Sequence, residues 1–187
     1  MSRQYWQELS AWATADGTAV ASSTTETIIM PNVTIPGNFM QDGRVIRLTV
    51  YGKYSEPGSG TVTKIFKVRW GGVSGTVLTT TGTITELISA SNWVFGFDNI
   101  LQTRSNGSSG TIIGYGDARV YGGTAPTLAS TTGLSGFAPM TAGGQTTPAA
   151  TTVDLTADTA LSITITHGQN SASTTATGQI YLIESLN

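Results

Sequence analysis

Any Ser-His-Asp relay in this chain would have to run through His167, the single histidine. Gly168 follows it at the end of an alternating apolar stretch, so the residue reads as a turn at a strand end rather than a general base. No G-x-S-x-G elbow, Walker loop or dinucleotide-binding glycine motif between a strand and a helix occurs. Eleven Asp and Glu residues offer many pairings for glycoside hydrolysis, yet none lies in an aromatic-lined motif. Asp154 and Asp158, in VDLTADTA, are candidates for a hard cation, but they lack the dense acidic run of a calcium loop. Their expected role is to cap turns through Asx hydrogen bonds. With no cysteine, disulfides, thiol nucleophiles and Cys-based zinc sites are excluded. Trp6, Trp12, Trp70 or Trp93 could stack on sugars, but Trp70 and Trp93 sit on apolar strand faces and are expected in the core. No catalytic, cofactor-binding or metal residue is assigned, and the chain reads as not an enzyme.

The elements that would position any site are strands. Only 11% of the 187 residues are charged, against roughly 25% in an average soluble protein. Thr and Gly are abundant, and the apolar residues fall into short alternating runs, which favours an all-β protein over a disordered one. Net charge is −2, carried as acidic ends around a basic middle that holds eight of the nine Lys and Arg. No segment is basic enough to argue for nucleic acid. No apolar run approaches the roughly 18 residues of a membrane span, and the N-terminus lacks the apolar core of a signal peptide. The expectation is a protein made in a cytoplasm, with no membrane partner.

Residues 1–23 read as an N-terminal arm bearing Tyr5, Trp6, Leu9 and Trp12, packed either on its own domain or on a neighbouring subunit. Residues 24–187 read as a single β-sandwich domain. Pro31 marks Thr27–Ile35 as an edge or bulged strand. The stretch 44–54, the turn EPGSG and the stretch 61–70 read as an antiparallel hairpin. The stretch 92–104 places Trp93, Phe95, Phe97 and Leu101 on one face. Ile112, Ala118 and Val120 share the inward face of 111–121, where Gly114 and Gly116 leave a gap. Residues 122–150 form a long Gly/Ala/Thr-rich loop, functional or disordered, with Leu134, Phe137 and Met140 as anchors. In all, about eight to nine antiparallel strands in a jelly-roll-like sandwich are expected.

The blocks Ile35, Pro36, Asn38, Phe39; Gly43, Ile46, Arg47, Leu48; Gly52, Tyr54, Ser55; and Lys67 to Gly72 resemble a recurrent pattern in structural proteins of tailed bacteriophages. So do Trp93 with LQTRS, then GSSGT, then TTVDLTADTALSITITHGQNSAS and the closing IESL. The resemblance covers roughly residues 27–120 and 151–187, and leaves out the arm and the long loop. It implies a virion β-sandwich protein, usually trimeric, that decorates the capsid or belongs to the tail. The short chain has no shaft repeats or heptads, which tilts the expectation towards a capsid decoration (cement) protein on the capsid surface, a homotrimer with the major capsid protein as partner.

Candidate capsid or subunit contacts are Tyr5, Trp6, Leu9, Trp12, Leu134, Phe137 and Met140. Arg47, Tyr51 and Lys53, on the outward face of 44–54, join them. Two other classes stay open: a tail-tip or fibre-associated module that recognises host surface glycans, and a secreted carbohydrate-binding or depolymerising domain.

Overall fold

The computed structural model describes residues 8–59, 62–86, 89–120, 137–142 and 148–187. It is all-β, with no helix among the described residues. The strands are β1 (Glu8–Trp12), β2 (Val20–Ala21), β3 (Thr27–Ile28), β4 (Val33–Ile35), β5 (Val45–Ser55), β6 (Val62–Trp70) and β7 (Thr76–Thr80). They continue with β8 (Ile84–Glu86), β9 (Trp93–Ser105), β10 (Gly110–Val120), β11 (Phe137–Thr141), β12 (Thr151–Val153), β13 (Thr159–His167) and β14 (Thr175–Ser185). Nine of the 14 have five residues or more, and the pieces beyond the expected count are too short to show an alternation. Pro31 splits the expected strand 27–35 into β3 and β4, and both pair with β13.

All strands join one antiparallel sheet: ten follow one another in the order β1-β14-β5-β9-β10-β11-β7-β6-β13-β3, while β12 pairs with β10, β2 with β14, β4 with β13 and β8 with β6. The sheet curls on itself like a sandwich, so β5 and β9 face β6 and β13 across one core. Alternation fills that core: Ile46, Leu48, Val50, Phe95, Phe97, Phe66, Val68, Ile163 and Ile165 are all buried. Phe66 of β6 bridges the layers, with ring centroids 5.0 Å from Phe95 and 5.8 Å from Phe97. Trp70 is buried, and its Nε1–H donates to the Asp154 carbonyl at 2.9 Å. Trp93 packs edge-on to Tyr54.

The expected β5–β6 hairpin does not form. β5 pairs with β14 and β9, whereas β6 pairs with β13, β7 and β8. Both strands carry a full apolar face. The segment between them therefore crosses from one layer to the other, and the two faces meet through the core instead of lying side by side. Residues 137–141 of the expected loop form β11, which joins β10 to β7 and so connects the two layers.

The IPGN turn is held from outside. Gly37 N–H donates to Asp158 Oδ1 at 2.8 Å, and Asn38 N–H donates to the Leu155 carbonyl at 2.7 Å. A side chain at Gly37 would run into the Thr156 and Ala157 backbone. Asp154 accepts from the Thr156 N–H at 2.8 Å and its hydroxyl at 2.6 Å, as expected of an Asx turn. These bonds hold its carboxyl below the usual range.

Gly52 sits where β5 meets the β14 bulge, and an added Cβ would strike the Thr177 carbonyl and the Phe95 ring. Neither backbone nor a packed ring can yield far. Gly52→Ala is therefore expected to cost about 2 kcal/mol by overpacking, read as a lower urea midpoint at unchanged m. A midpoint equal to the parent's would show that β5 shifts freely there.

Candidate functional site

The outward face of β1, β14, β5, β9 and β10 can be read row by row from the register. The first row runs Glu184, Arg47, Ile100, Tyr115. The second runs Trp12, Leu182, Thr49, Asp98, Asp117. The third runs Ile180, Tyr51, Gly96, Arg119, and beyond it Lys53 faces Val94. These residues share one side because side chains alternate along each strand and no register shift falls within these rows.

The face is unusually apolar for a solvated surface. Among the described residues, seven large hydrophobic side chains are exposed, and six of them stand here: Trp12, Tyr51, Val94, Ile100, Tyr115 and Ile180. The seventh, Val73, lies in the turn between β6 and β7. The Tyr51 ring occupies the space that a side chain at Gly96 would take.

The first two rows enclose a groove of about 550 Å³ over β14, β5, β9 and β10. Tyr115 and Ile100, directly opposite each other, form its apolar wall, 50% and 44% exposed. The other wall is the Arg47–Glu184 ion pair at 3.9 Å. Between them, the Thr49 hydroxyl donates to Asp98 Oδ1 at 2.7 Å, and Arg119 Nε–H donates to Asp117 Oδ2 at 2.9 Å. Each aspartate keeps a second oxygen as an acceptor. No group of three or more His, Asp or Glu among the described residues is placed to hold a metal ion.

A second polar cluster lies inside. Lys64 on β6 points into the core and pairs with Glu56, both side chains fully buried. The Lys64 ammonium also stands 4.5 Å from the Tyr54 ring centroid. His167, expected at a turn, is the last residue of β13 instead. It is buried at 1% exposure, directly across from Lys64 in the ladder. Burial and then the Lys64 charge push its pKa down to about 4, against a smaller opposing effect of the Val20 carbonyl. At neutral pH the ring is an uncharged packing group.

The expected contact residues divide. Trp12, Arg47, Tyr51 and Lys53 come together on the outward face, with Trp12 56% exposed. Met140 cannot be a partner contact: it is wholly buried, and its Sδ accepts from Asn99 Nδ2 at 3.2 Å. Its role is to anchor β11, beside the Gly114 and Gly116 gap that Thr79, Leu101 and Asn99 fill. Leu9 and Phe137 lie on β1 and β11, while Tyr5, Trp6 and Leu134 fall outside the described residues. Residues 8–12, within the expected arm, pair with β14. The groove residues Asp98, Ile100, Tyr115, Asp117 and Glu184 were not singled out from sequence. Outward parity on four strands was the only signal, and it does not say which strands are neighbours.

Fold and face together define an all-β protein with one exposed, partly apolar sheet surface. No family model and no curated protein sequence matches this chain. Among solved structures it is similar to the CBM2 module of the evolved Dit of Lactobacillus casei BL23 phage J-1. Identity is 9% and the TM-score 0.36, over 83% of this chain and 69% of that one. A likeness of that depth assigns neither ligand nor partner.

Proposed function

We propose that the chain is a non-enzymatic structural component of a tailed-bacteriophage virion. In its finer form it is a decoration protein on the outer capsid, a homotrimer whose partner is the major capsid protein. The phage-like sequence blocks support the virion reading. The observation that carries a docking role is the concentration, among the described residues, of six of the seven exposed large hydrophobics on one sheet face, since patches of this kind mark interaction surfaces. The apolar side of that face, Trp12, Ile180, Tyr51 and Val94, meets a second copy of the chain, because a closed cyclic oligomer covers such a patch on every subunit. Tyr5 and Trp6 serve as aromatic anchors towards the capsid.

Light scattering after size exclusion is expected to give three times the 19.4 kDa chain mass. Ile180→Lys is expected to shift the mass to one chain while leaving the melting temperature of the monomer fold within about 2 °C, since the side chain is exposed. A parent protein that is strictly monomeric and does not bind purified capsids overturns the reading.

A second reading has its own observation. The groove beside Tyr115 favours a tail-tip or fibre-associated module that recognises host surface glycans. Adsorption blocked by free protein, with no binding to capsids, selects it over the first.

A further inference from the structure

We infer that the groove bounded by Tyr115, Ile100, Arg47 and Glu184 is a subsite for a neutral saccharide; the inference rests on the glycan reading above, and narrows it to a class of sugar. Its volume of about 550 Å³ lies within the range of small-ligand sites. Its chemistry is two-sided. One wall is the half-exposed Tyr115 ring next to Ile100, a surface that suits the C–H face of a pyranose. The floor and far wall offer acceptors on Asp98, Asp117 and Glu184 and a donor on Arg47. Vicinal hydroxyls donate and accept at adjacent atoms, so a sugar ring can satisfy both kinds of group at once.

The groups that orient the acceptors are already in place. Thr49 fixes Asp98 and Arg119 fixes Asp117, each through one carboxylate oxygen. Binding therefore requires little ordering of these side chains, which are held on strands rather than loops.

Charge decides the class of sugar. Among the described residues, the three carboxylates of Asp98, Asp117 and Glu184 outnumber the two guanidinium groups of Arg47 and Arg119. An anionic glycan would bring its carboxylates or phosphates up to Asp98 and Asp117 and be repelled. A neutral one meets no such penalty.

Native gels cast with soluble polysaccharide test this with the full chain. The set is neutral galactomannan, β-glucan and starch, anionic hyaluronate and alginate, and cationic chitosan oligomers. Retardation is expected in at least one neutral gel and not in the anionic ones. Tyr115→Ala and Asp98→Asn should each weaken that binding by about tenfold or more. Val73→Ser, in the turn between β6 and β7 and off this face, should leave it unchanged. Retardation confined to anionic or cationic gels overturns the neutral-sugar inference and leaves the glycan reading standing. So does neutral binding that both groove variants retain in full. No retardation in any gel removes the glycan reading itself.

Discussion

Lys64→Met is expected to destabilise the fold by about 3–5 kcal/mol, the largest effect of any single substitution considered for this chain. The variant keeps the volume of the stem but removes the ammonium from a site that is 0% exposed. Glu56 is then a buried carboxylate with no cation, and its Oε2 has no other hydrogen-bond partner among the described residues. The contact between the cation and the Tyr54 ring, 4.5 Å from its centroid, goes as well. Glu56→Gln should cost a similar amount from the other side, by removing the carboxylate charge paired with the buried ammonium.

The double variant Glu56→Leu, Lys64→Met separates charge from packing. Removing both charges removes the desolvation cost of both, so the double variant should lie within about 1 kcal/mol of the parent. Urea unfolding at pH 7 reads all three. Single variants that cost under 1 kcal/mol would mean that water reaches the pair. A double variant as unstable as the singles would mean that shape, not charge, decides.

Lys64 also shows where the sequence is legible and where it is not. In VTKIFKVRW the parity that puts Val62, Phe66, Val68 and Trp70 inward puts Lys64 inward too. Its partner was not readable, because Glu56 follows β5 and reaches Lys64 only once the chain has crossed between layers. The same crossing undid the expected β5–β6 hairpin: alternation reports which side of a strand is dry, not which strand lies beside it. Inward faces were legible throughout, as with Phe95, Phe97 and Leu101 on β9 or Leu161, Ile163 and Ile165 on β13. β11 was hidden in a Gly- and Thr-rich stretch, and its pairing with β10 and β7 is a tertiary fact. The candidate face was half legible. Arg47, Tyr51 and Lys53 follow from the outward parity of β5. Asp98 and Asp117 become neighbours only through the β9–β10 register.

Acid is expected to unfold the protein in two separable steps, both set by groups whose folded pKa is depressed. His167 has a folded pKa of about 4 against an ordinary 6.5. Between those values the unfolded chain binds a proton that the native ring refuses. Stability is therefore full above pH 6.5 and falls as pH drops towards 4, at up to about 1.4 kcal/mol per pH unit and about 3 kcal/mol in all. Glu26 follows at lower pH. Partial burial alone would raise its pKa, but Arg69, Lys67 and the Thr164 hydroxyl donate to its carboxylate and hold it down at about 2. Its contribution is present above pH 4.5 and is lost as pH falls from 4.5 through 2. Side-chain exposures of 14–20% along this network let solvent screen it, so its share is about 1–2 kcal/mol. Urea midpoints measured from pH 7 to 2 test both. His167→Asn should flatten the curve between pH 6.5 and 4 whatever it does to absolute stability, and Glu26→Gln should flatten it only below 4.5. Salt should shrink the lower step and spare the upper one, because only the Glu26 network is open to ions. Parallel curves for the parent and His167→Asn between pH 6.5 and 4 would show that the native imidazole takes up its proton as readily as the unfolded one, and that water enters the Lys64 cluster.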